Sequence, residues 1–430
     1  MTHPVPSTSN PNTLMIGRFS AKSLVERFGS PLYVMDETLI RSRMRLYTSA
    51  FIHPDFQTTV TYAGKAFLTK AMVQIVEQEG LNLDVVSLGE LMTALSVNFP
   101  PQRLVLHGNN KSDEELATAI NAGVGLIVLD NPTEVERIKA LNPNHPVSVL
   151  VRVNPGIEAH THAYIKTTSQ DSKFGMSLAD PTTFTFLRTL AQDPLFDLQG
   201  LHCHIGSQIQ SLDAYIESVA ILLDTLVTLR DEGVVLPTLN VGGGLGARYV
   251  ESDPVLDYAA LVKQLADQIA TGCHQRQLTL HRVIIEPGRS IVAEAGTTLY
   301  TVGTIKTTLT GKTYVMVDGS MADHLRTALY QAEYTAVAAD RLLEPHDQIV
   351  TIAGKACESG DILIHQAKLP RMQPGDLIAV KTTGAYHYSM ASNYNRLLKP
   401  AVVLVHDDQA RIIVKRETIA DLLRNDEVIA

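Results

Sequence analysis

The sequence predicts an α/β protein, a (β/α)8 TIM-like barrel joined to a second, mostly antiparallel β-domain. Three observations predict it. From about Thr59 to Glu286, short aliphatic or β-branched runs alternate with longer helical patterns. After about Thr297 the texture changes to short strands broken by Gly, Asp and Pro. Reactive side chains fall where the first set of runs end, which is where a barrel enzyme carries its chemistry.

The strand candidates of the first region are residues 59–63, 81–86, 103–107, 125–129, 147–153, 198–205, 239–242 and 283–286. Helical patterns lie between most of them, at 69–79, 89–96, 112–122, 132–140, 212–232 and 255–271. Strands alternating with helices imply parallel βα units. Eight such units over about 230 residues imply a closed barrel. An open doubly wound sheet would usually stop nearer about five to seven strands. In the second region "GTIKTTLTGKTYVMVDGS", "QIVTIAGKACESGDILI", "GDLIAVKTTGAYHYSM" and "PAVVLVHDDQARIIVK" read as strands. The last carries a hairpin signal at 407–409. Only "ETIADLLRND" reads as helix there, and the strand-like "SPLYVMD" at 30–36 is expected to join this domain. The expected organisation is a disordered lead over 1–15, a barrel over 45–297, and a β-domain made of 16–44 plus 298–430 that contributes substrate and dimer contacts.

Composition narrows the function. The 430 residues are 45% hydrophobic and 19% charged, with net charge −9. No basic block interleaved with aromatics is present, so nucleic acid is not an expected partner. The most apolar run, residues 219–229, contains Asp224 and is too short to span a bilayer, so no membrane partner is expected. The N-terminus lacks the basic and apolar regions of a signal peptide. Three widely spaced cysteines, Cys203, Cys273 and Cys357, fit a reducing compartment. A cytoplasmic protein follows.

The strand exits carry the chemistry. The first ends in Gly64–Lys65, within "YAGKAFLTKAM". Asp84 lies near the end of the second, His107 ends the third, and the fifth carries Arg152 and Asn154. The sixth ends in "HCHIGSQ", the seventh in "GGGLG" and the eighth in "EPGR". Taken singly, these have plain alternatives. The two histidines of "HCH" could ligate a metal, but no third ligand of fixed spacing follows, and "HTH" at 160–162 lies in a polar loop. "TGKT" lacks the upstream glycine of a P-loop, because Lys306 stands there. "GGGLG" lacks dinucleotide spacing, yet offers free backbone N–H groups for a phosphate.

Taken together, they ask for pyridoxal phosphate. A lysine waits at the mouth to hold the cofactor covalently. Two Gly-rich exits and an arginine suit the phosphate. A carboxylate, Glu286, suits the pyridine nitrogen, where a retained proton strengthens the ring as an electron sink.

The motifs "YAGKA", "DVVSLGEL", "RVNPGIEAHTHAYIKT", "DSKFGM", "HCHIGSQI", "VGGGLG", "EPGRSIVAEAG", "HLRTALY", "CESGDIL" and "GAYHYSMASNYN" resemble the barrel-type pyridoxal-phosphate decarboxylases over nearly the whole chain. More narrowly they resemble the branch that acts on meso-2,6-diaminopimelate and releases L-lysine and CO2. The resemblance implies the alanine racemase-like fold type III and a homodimer with active sites at its interface. It further implies that Lys65 holds pyridoxal 5'-phosphate and His204 packs on the cofactor face. Ser207, Gly243, Gly244 and the segment Pro287, Gly288, Arg289 would face the phosphate. Glu286 would pair with the pyridine nitrogen, and Tyr386 would touch phosphate and substrate. Arg289, Arg326 and Tyr330 would bind substrate carboxylate, and Glu358 the distal amino end. Cys357 would be the acid that returns a proton after CO2 leaves, with Cys357 and Glu358 reaching the site from the partner subunit.

Two departures stand out: Phe67 where Asn is usual, and "GKA" before "CESGD" where a Gly-Pro step is usual. The rival readings are a same-fold decarboxylase of another basic amino acid or a carboxyspermidine-type substrate, an amino-acid racemase, and a non-catalytic cofactor carrier. "HLRTALY" argues against the first, since a plain diamino acid has no distal carboxylate for Arg326 and Tyr330. "CESGD" does not fit the two-base arrangement of a racemase, and the β-domain argues against a carrier.

Overall fold

The computed structural model describes residues 11–157 and 172–429. The start of the expected lead and the "HTH" loop at 160–162 lie outside them. The chain divides into two compact units. One comprises Arg43–Gly246 and Val255–Ser290; the other comprises Met1–Ser42, Ala247–Pro254 and Ile291–Ala430.

The first unit is the closed barrel. Its strands are Gln57–Ala63, Asn82–Val85, Leu104–Leu106, Leu126–Leu129, Val147–Asn154, Phe196–His202, Thr238–Asn240 and Arg282–Ile285. Each pairs in parallel with the next, and the eighth returns to the first with Ile285 opposite Val60. Strands covered on both faces read as continuous apolar runs, and Leu126–Leu129 is buried at all four positions. Val105, Leu126, Val128, Leu150 and Ile284 pack as one cluster.

The connecting helices start at strong caps. Ser112 and Glu115 form a reciprocal capping box before Asp113–Ala122, and Gly123 ends that helix in the left-handed conformation. The helix Pro181–Gln192 has no counterpart in the sequence expectation. Its signal was local: the Asp180 side chain accepts from the Thr182 N–H, and Pro181 occupies the first turn, where its missing N–H costs nothing.

The second unit is a mostly antiparallel sheet centred on Gly296–Thr307. That strand pairs antiparallel with Thr313–Val317, Leu377–Lys381 and Leu32–Asp36. Leu32–Asp36 in turn runs parallel to Ala401–His406. The hairpin signal corresponds to Ala401–His406 turning into Gln409–Val414, with Asp407 at φ +49°. Leu32, Val34, Leu299, Val403 and Val405 lie in its core. A short helix, Leu325–Tyr330, sits where only strands were expected. Its six residues are too few for periodicity to reveal, and it is anchored by the Thr327 hydroxyl, which donates to the Leu363 carbonyl at 2.7 Å. The expected disorder over 1–15 fails at its described end. The Asn12 carbonyl accepts from the Leu342 N–H at 3.0 Å, and the Leu14 N–H donates to the Ala339 carbonyl at 2.6 Å.

Candidate active site

The first barrel strand does not run straight into a helix. It ends in a 3-10 turn, Gly64–Ala66, which holds Lys65 exposed between two buried neighbours. A Cβ at residue 64 would stand 2.7 Å from the Asp84 carbonyl oxygen, so the turn needs glycine to lie against the second strand's exit. Phe67 closes the turn. Its ring is 2% exposed, its N–H reaches the Gly64 carbonyl at 3.1 Å, and its own carbonyl accepts from the Tyr62 hydroxyl at 2.8 Å. The residue that departs from the family pattern is therefore a packing element behind the lysine. The eighth exit lies against the same turn, because a Cβ on Gly288 would come within 2.9 Å of the Ala63 Cβ and 3.2 Å of the Ala66 Cβ.

Glu286 is 6% exposed and surrounded by donors. Its Oε1 accepts from His107 Nε2 at 2.9 Å and from Asn240 Nδ2 at 2.7 Å. Its Oε2 faces His202 Nε2 at 3.1 Å. Burial alone would raise its pKa, but the facing His107 and His202 hold it well below the ordinary carboxylate range. Burial also works against a charge on His107, and there Glu286 and then Asp84 prevail, so its pKa is raised. Burial wins at His202, pushing its pKa down to about 4. Its Nδ1 has no hydrogen-bond partner among the described residues, which assigns a neutral ring donating through Nε2. A carboxylate offers about four acceptor positions. Three are used, and the fourth, on Oε2, suits one further N–H.

A buried ion pair steadies this ring. Lys111 Nζ donates to the Gly108 carbonyl at 2.7 Å, the Val128 carbonyl at 2.6 Å and Glu134 Oε2 at 2.9 Å. It ties the loop after His107 to the fourth strand. Asp84 is buried too, its pKa raised by burial, and its Oδ1 has no hydrogen-bond partner among the described residues. Arg152 is turned over the Phe174 ring, its Cζ 4.4 Å from the centroid.

The expected phosphate side is also built from strand exits. Arg289, 4% exposed, donates from Nη2 to the Ser207 hydroxyl at 2.8 Å. Gly244 adopts φ +129°, and a Cβ on Gly243 would stand 1.9 Å from the Glu286 carbonyl oxygen. The two exits approach that closely only because residue 243 lacks a side chain. The Tyr215 hydroxyl fixes the Gly243 carbonyl at 2.8 Å. His204 is half-buried, with a pKa held well below the ordinary value by burial and then by Lys65. The structure thus places Lys65, His204, Ser207, Gly243, Gly244, Glu286, Pro287, Gly288 and Arg289 at the exits of one barrel. A covalent lysine, an anion-binding exit and a buried carboxylate with one free acceptor position fit pyridoxal phosphate.

The second unit holds the other expected residues in two groups. Arg326, Tyr330 and Tyr386 cluster, with the Arg326 Cζ 5.2 Å from the Tyr330 ring centroid and 5.5 Å from that of Tyr386. Tyr386 has φ +63°, a strained conformation for a bulky residue. Cys357 and Glu358 are exposed. The Cys357 N–H donates to Asn395 Oδ1 at 2.6 Å, and Glu358 accepts from the Tyr394 hydroxyl at 3.2 Å. Glu358's pKa is lowered by the Gly360 N–H and then by Tyr394.

The "HCH" pair does not form a two-histidine site. The strand ends at His202, and His202 turns to Glu286. Sequence reasoning missed the trio His107, His202 and Glu286, whose ligating atoms lie within 4.8 Å of one another. Hydrogen bonds already join those atoms. Asn240, the last residue of its strand, was missed as well. Strand-end position was the only signal for either.

A family model for "Pyridoxal-dependent decarboxylase, pyridoxal binding domain" matches residues 37–293. The chain is similar to the diaminopimelate decarboxylase of Bacillus subtilis (strain 168), 46% identical, over 96% of this chain and 95% of that one. It is 45% identical to that of Staphylococcus aureus (strain COL), over 96% and 97%. Among solved structures, diaminopimelate decarboxylase from M. jannaschii in co-complex with L-lysine superposes with a TM-score of 0.91 at 32% identity. That likeness covers 98% of this chain and 97% of the other.

Proposed function

Because the chain belongs to the pyridoxal-dependent decarboxylases, we infer that it removes CO2 from meso-2,6-diaminopimelate to leave L-lysine, the last step of lysine biosynthesis. It is a carboxy-lyase that uses pyridoxal 5'-phosphate. Similarity to diaminopimelate decarboxylases over nearly the whole chain carries this reading. Arg326 supports it: the residue is 7% exposed and has no carboxylate partner among the described residues, a buried cation awaiting an anion.

Pyridoxal phosphate, when bound, supplies a ring that accepts the electron pair left by departing CO2. The chain's residues do the rest. Lys65 would hold the cofactor. Glu286 keeps a proton on the ring nitrogen through its fourth acceptor position. Ser207, Gly243, Gly244, Pro287, Gly288 and Arg289 bind phosphate, and His204 packs on the ring. Arg326, Tyr330 and Tyr386 take the retained carboxylate, with Arg289 as a further cation. Glu358 takes the ammonium beside it. Cys357 returns a proton to the carbon that lost CO2. The exposure of Cys357 and Glu358 suits their serving a second copy of the chain, so the proposed working form is a homodimer, in the cytoplasm.

The test is CO2 release from meso-diaminopimelate against L-lysine and L-ornithine. A site that pairs both charges at the distal end should discriminate by about 10⁴. Faster release from lysine or ornithine would move the chain to a decarboxylase of plain basic amino acids.

A further inference from the structure

The proposed carboxylate clamp raises a question about aim, since a guanidinium can meet a carboxylate along its Nε–Nη edge or end-on through both Nη groups. Arg326 Nε donates to the Tyr334 hydroxyl at 2.8 Å. Neither Nη group has a hydrogen-bond partner among the described residues. The side edge is therefore occupied from within the unit, and the two Nη groups form the open fork.

Tyr334 is itself held. It is 4% exposed. Three rings meet it edge-on: His324 at 4.7 Å and 70°, His387 at 5.1 Å and 86°, and Tyr249 at 5.2 Å and 83°. His324 has no hydrogen-bond partner on either nitrogen among the described residues. Burial, and then Arg326, push its pKa to about 3, so it packs as a neutral ring and adds no charge beside the arginine. A phenol wedged among three rings has little freedom to follow the guanidinium; the guanidinium must follow the phenol.

We propose that Tyr334 is a positioning residue that fixes Arg326 through Nε and commits it to end-on capture of the substrate's retained carboxylate. This rests on the reading of Arg326 as the carboxylate ligand. The preorganised fork lowers KM and stands apart from the bond-breaking step, because the distal carboxylate is bound alike before and after CO2 leaves.

The experiment compares Tyr334→Phe, Arg326→Lys and the double variant as holoenzymes. It reads KM and kcat for meso-diaminopimelate, calorimetric binding of L-lysine, which keeps the same carboxylate, and the cofactor absorbance band. Tyr334→Phe retains the ring and should raise KM and the lysine Kd by about tenfold to a hundredfold, a hydrogen bond to a charged group being lost. The kcat value should stay within about twofold and the absorbance band should not move. Arg326→Lys keeps a positive charge but removes the whole guanidinium, Nε and the Nη fork alike, so it tests the carboxylate ligand and leaves Tyr334 no Nε to hold. The double variant should be no more than about twofold worse than Arg326→Lys alone. If Arg326→Lys weakens binding and Tyr334→Phe does not, the positioning role is overturned while the carboxylate reading stands. If neither weakens binding, both are overturned. If Tyr334→Phe lowers kcat and leaves KM and the lysine Kd unchanged, or if the two losses simply add, the positioning role is likewise overturned.

Discussion

Replacing Glu286 with Gln isolates the buried ring at the heart of the barrel. The carboxylate now accepts from His107 at 2.9 Å, Asn240 at 2.7 Å and His202 at 3.1 Å, at 6% exposure. An amide can keep its oxygen toward His107 and Asn240 and turn its NH2 toward His202. His202 can accommodate this by moving its proton to Nδ1, which is otherwise unpartnered among the described residues. His107 loses the larger of the two counter-charges that hold its pKa up, leaving Asp84 alone. The expected loss is about 3 kcal/mol, the lower end for breaking a buried pair. It carries a pH signature. Glu286 has a depressed folded pKa, so its contribution is fully present above about pH 4.3 and is lost as pH falls through the folded value. His107 has a raised folded pKa, so its contribution is fully present below about pH 6.5 and is lost as pH rises through the folded value. The stability difference between wild type and Glu286→Gln should therefore be largest between about pH 4.3 and 6.5 and shrink on both sides. His202 destabilises both proteins as pH falls from its ordinary value toward about 4, and over that range, where its ring is neutral in both folded states, the effect cancels in the difference. Urea unfolding of cofactor-free protein across this range measures it. A difference below about 1 kcal/mol, or one flat with pH, would refute the assignment of an ionised carboxylate paired with a charged His107.

Two further substitutions probe the strand exits and the acid. In Gly243→Ala, the new Cβ starts 1.9 Å from the Glu286 carbonyl oxygen; real Cβ atoms stay beyond 3.0 Å, so the exits must part by 3.0 − 1.9 = 1.1 Å. About 1–3 kcal/mol of stability should be lost together with cofactor affinity, and an unchanged unfolding midpoint with unchanged pyridoxal phosphate binding would disprove the close approach. Cys357→Ala should leave the cofactor absorbance and the midpoint unchanged, since the thiol is exposed, while turnover falls by about 10²-fold or more. Near-normal turnover would remove Cys357 as the acid.

Most of the barrel was legible because its strands are buried on both faces and read as unbroken aliphatic runs between helical patterns. The helix Pro181–Gln192 was not, although Asp180 and Pro181 announce its start. Its apolar positions, Phe184, Phe186, Leu187 and Leu190, are diluted by threonines. Lys65 and Glu286 were legible as reactive types at strand ends. The donors around Glu286 were not, because His107 stands 179 residues away and Asn240 46 away along the chain. Which exits converge is decided by closure of the sheet, and no local pattern encodes it. Tyr334 was invisible for the same reason: its part depends on three rings drawn from Tyr249, His324 and His387.

The strand Leu32–Asp36 has a consequence for how the protein is made. Val34 pairs with Thr297 on one side and Val403 on the other, separations of 297 − 34 = 263 and 403 − 34 = 369 residues. A ribosome adding about 5–20 residues per second needs roughly 20–70 seconds to deliver the second partner. For roughly the first 13–50 seconds, while the barrel sequence emerges, "LYVM", buried at all four positions in the finished sheet, has neither neighbour to pair with, and it lacks the second until the end. An unpaired apolar strand near the front of a nascent chain is an open template for other chains. Slowed elongation, or expression that outpaces chaperones, should raise the yield of aggregate before it affects any finished molecule.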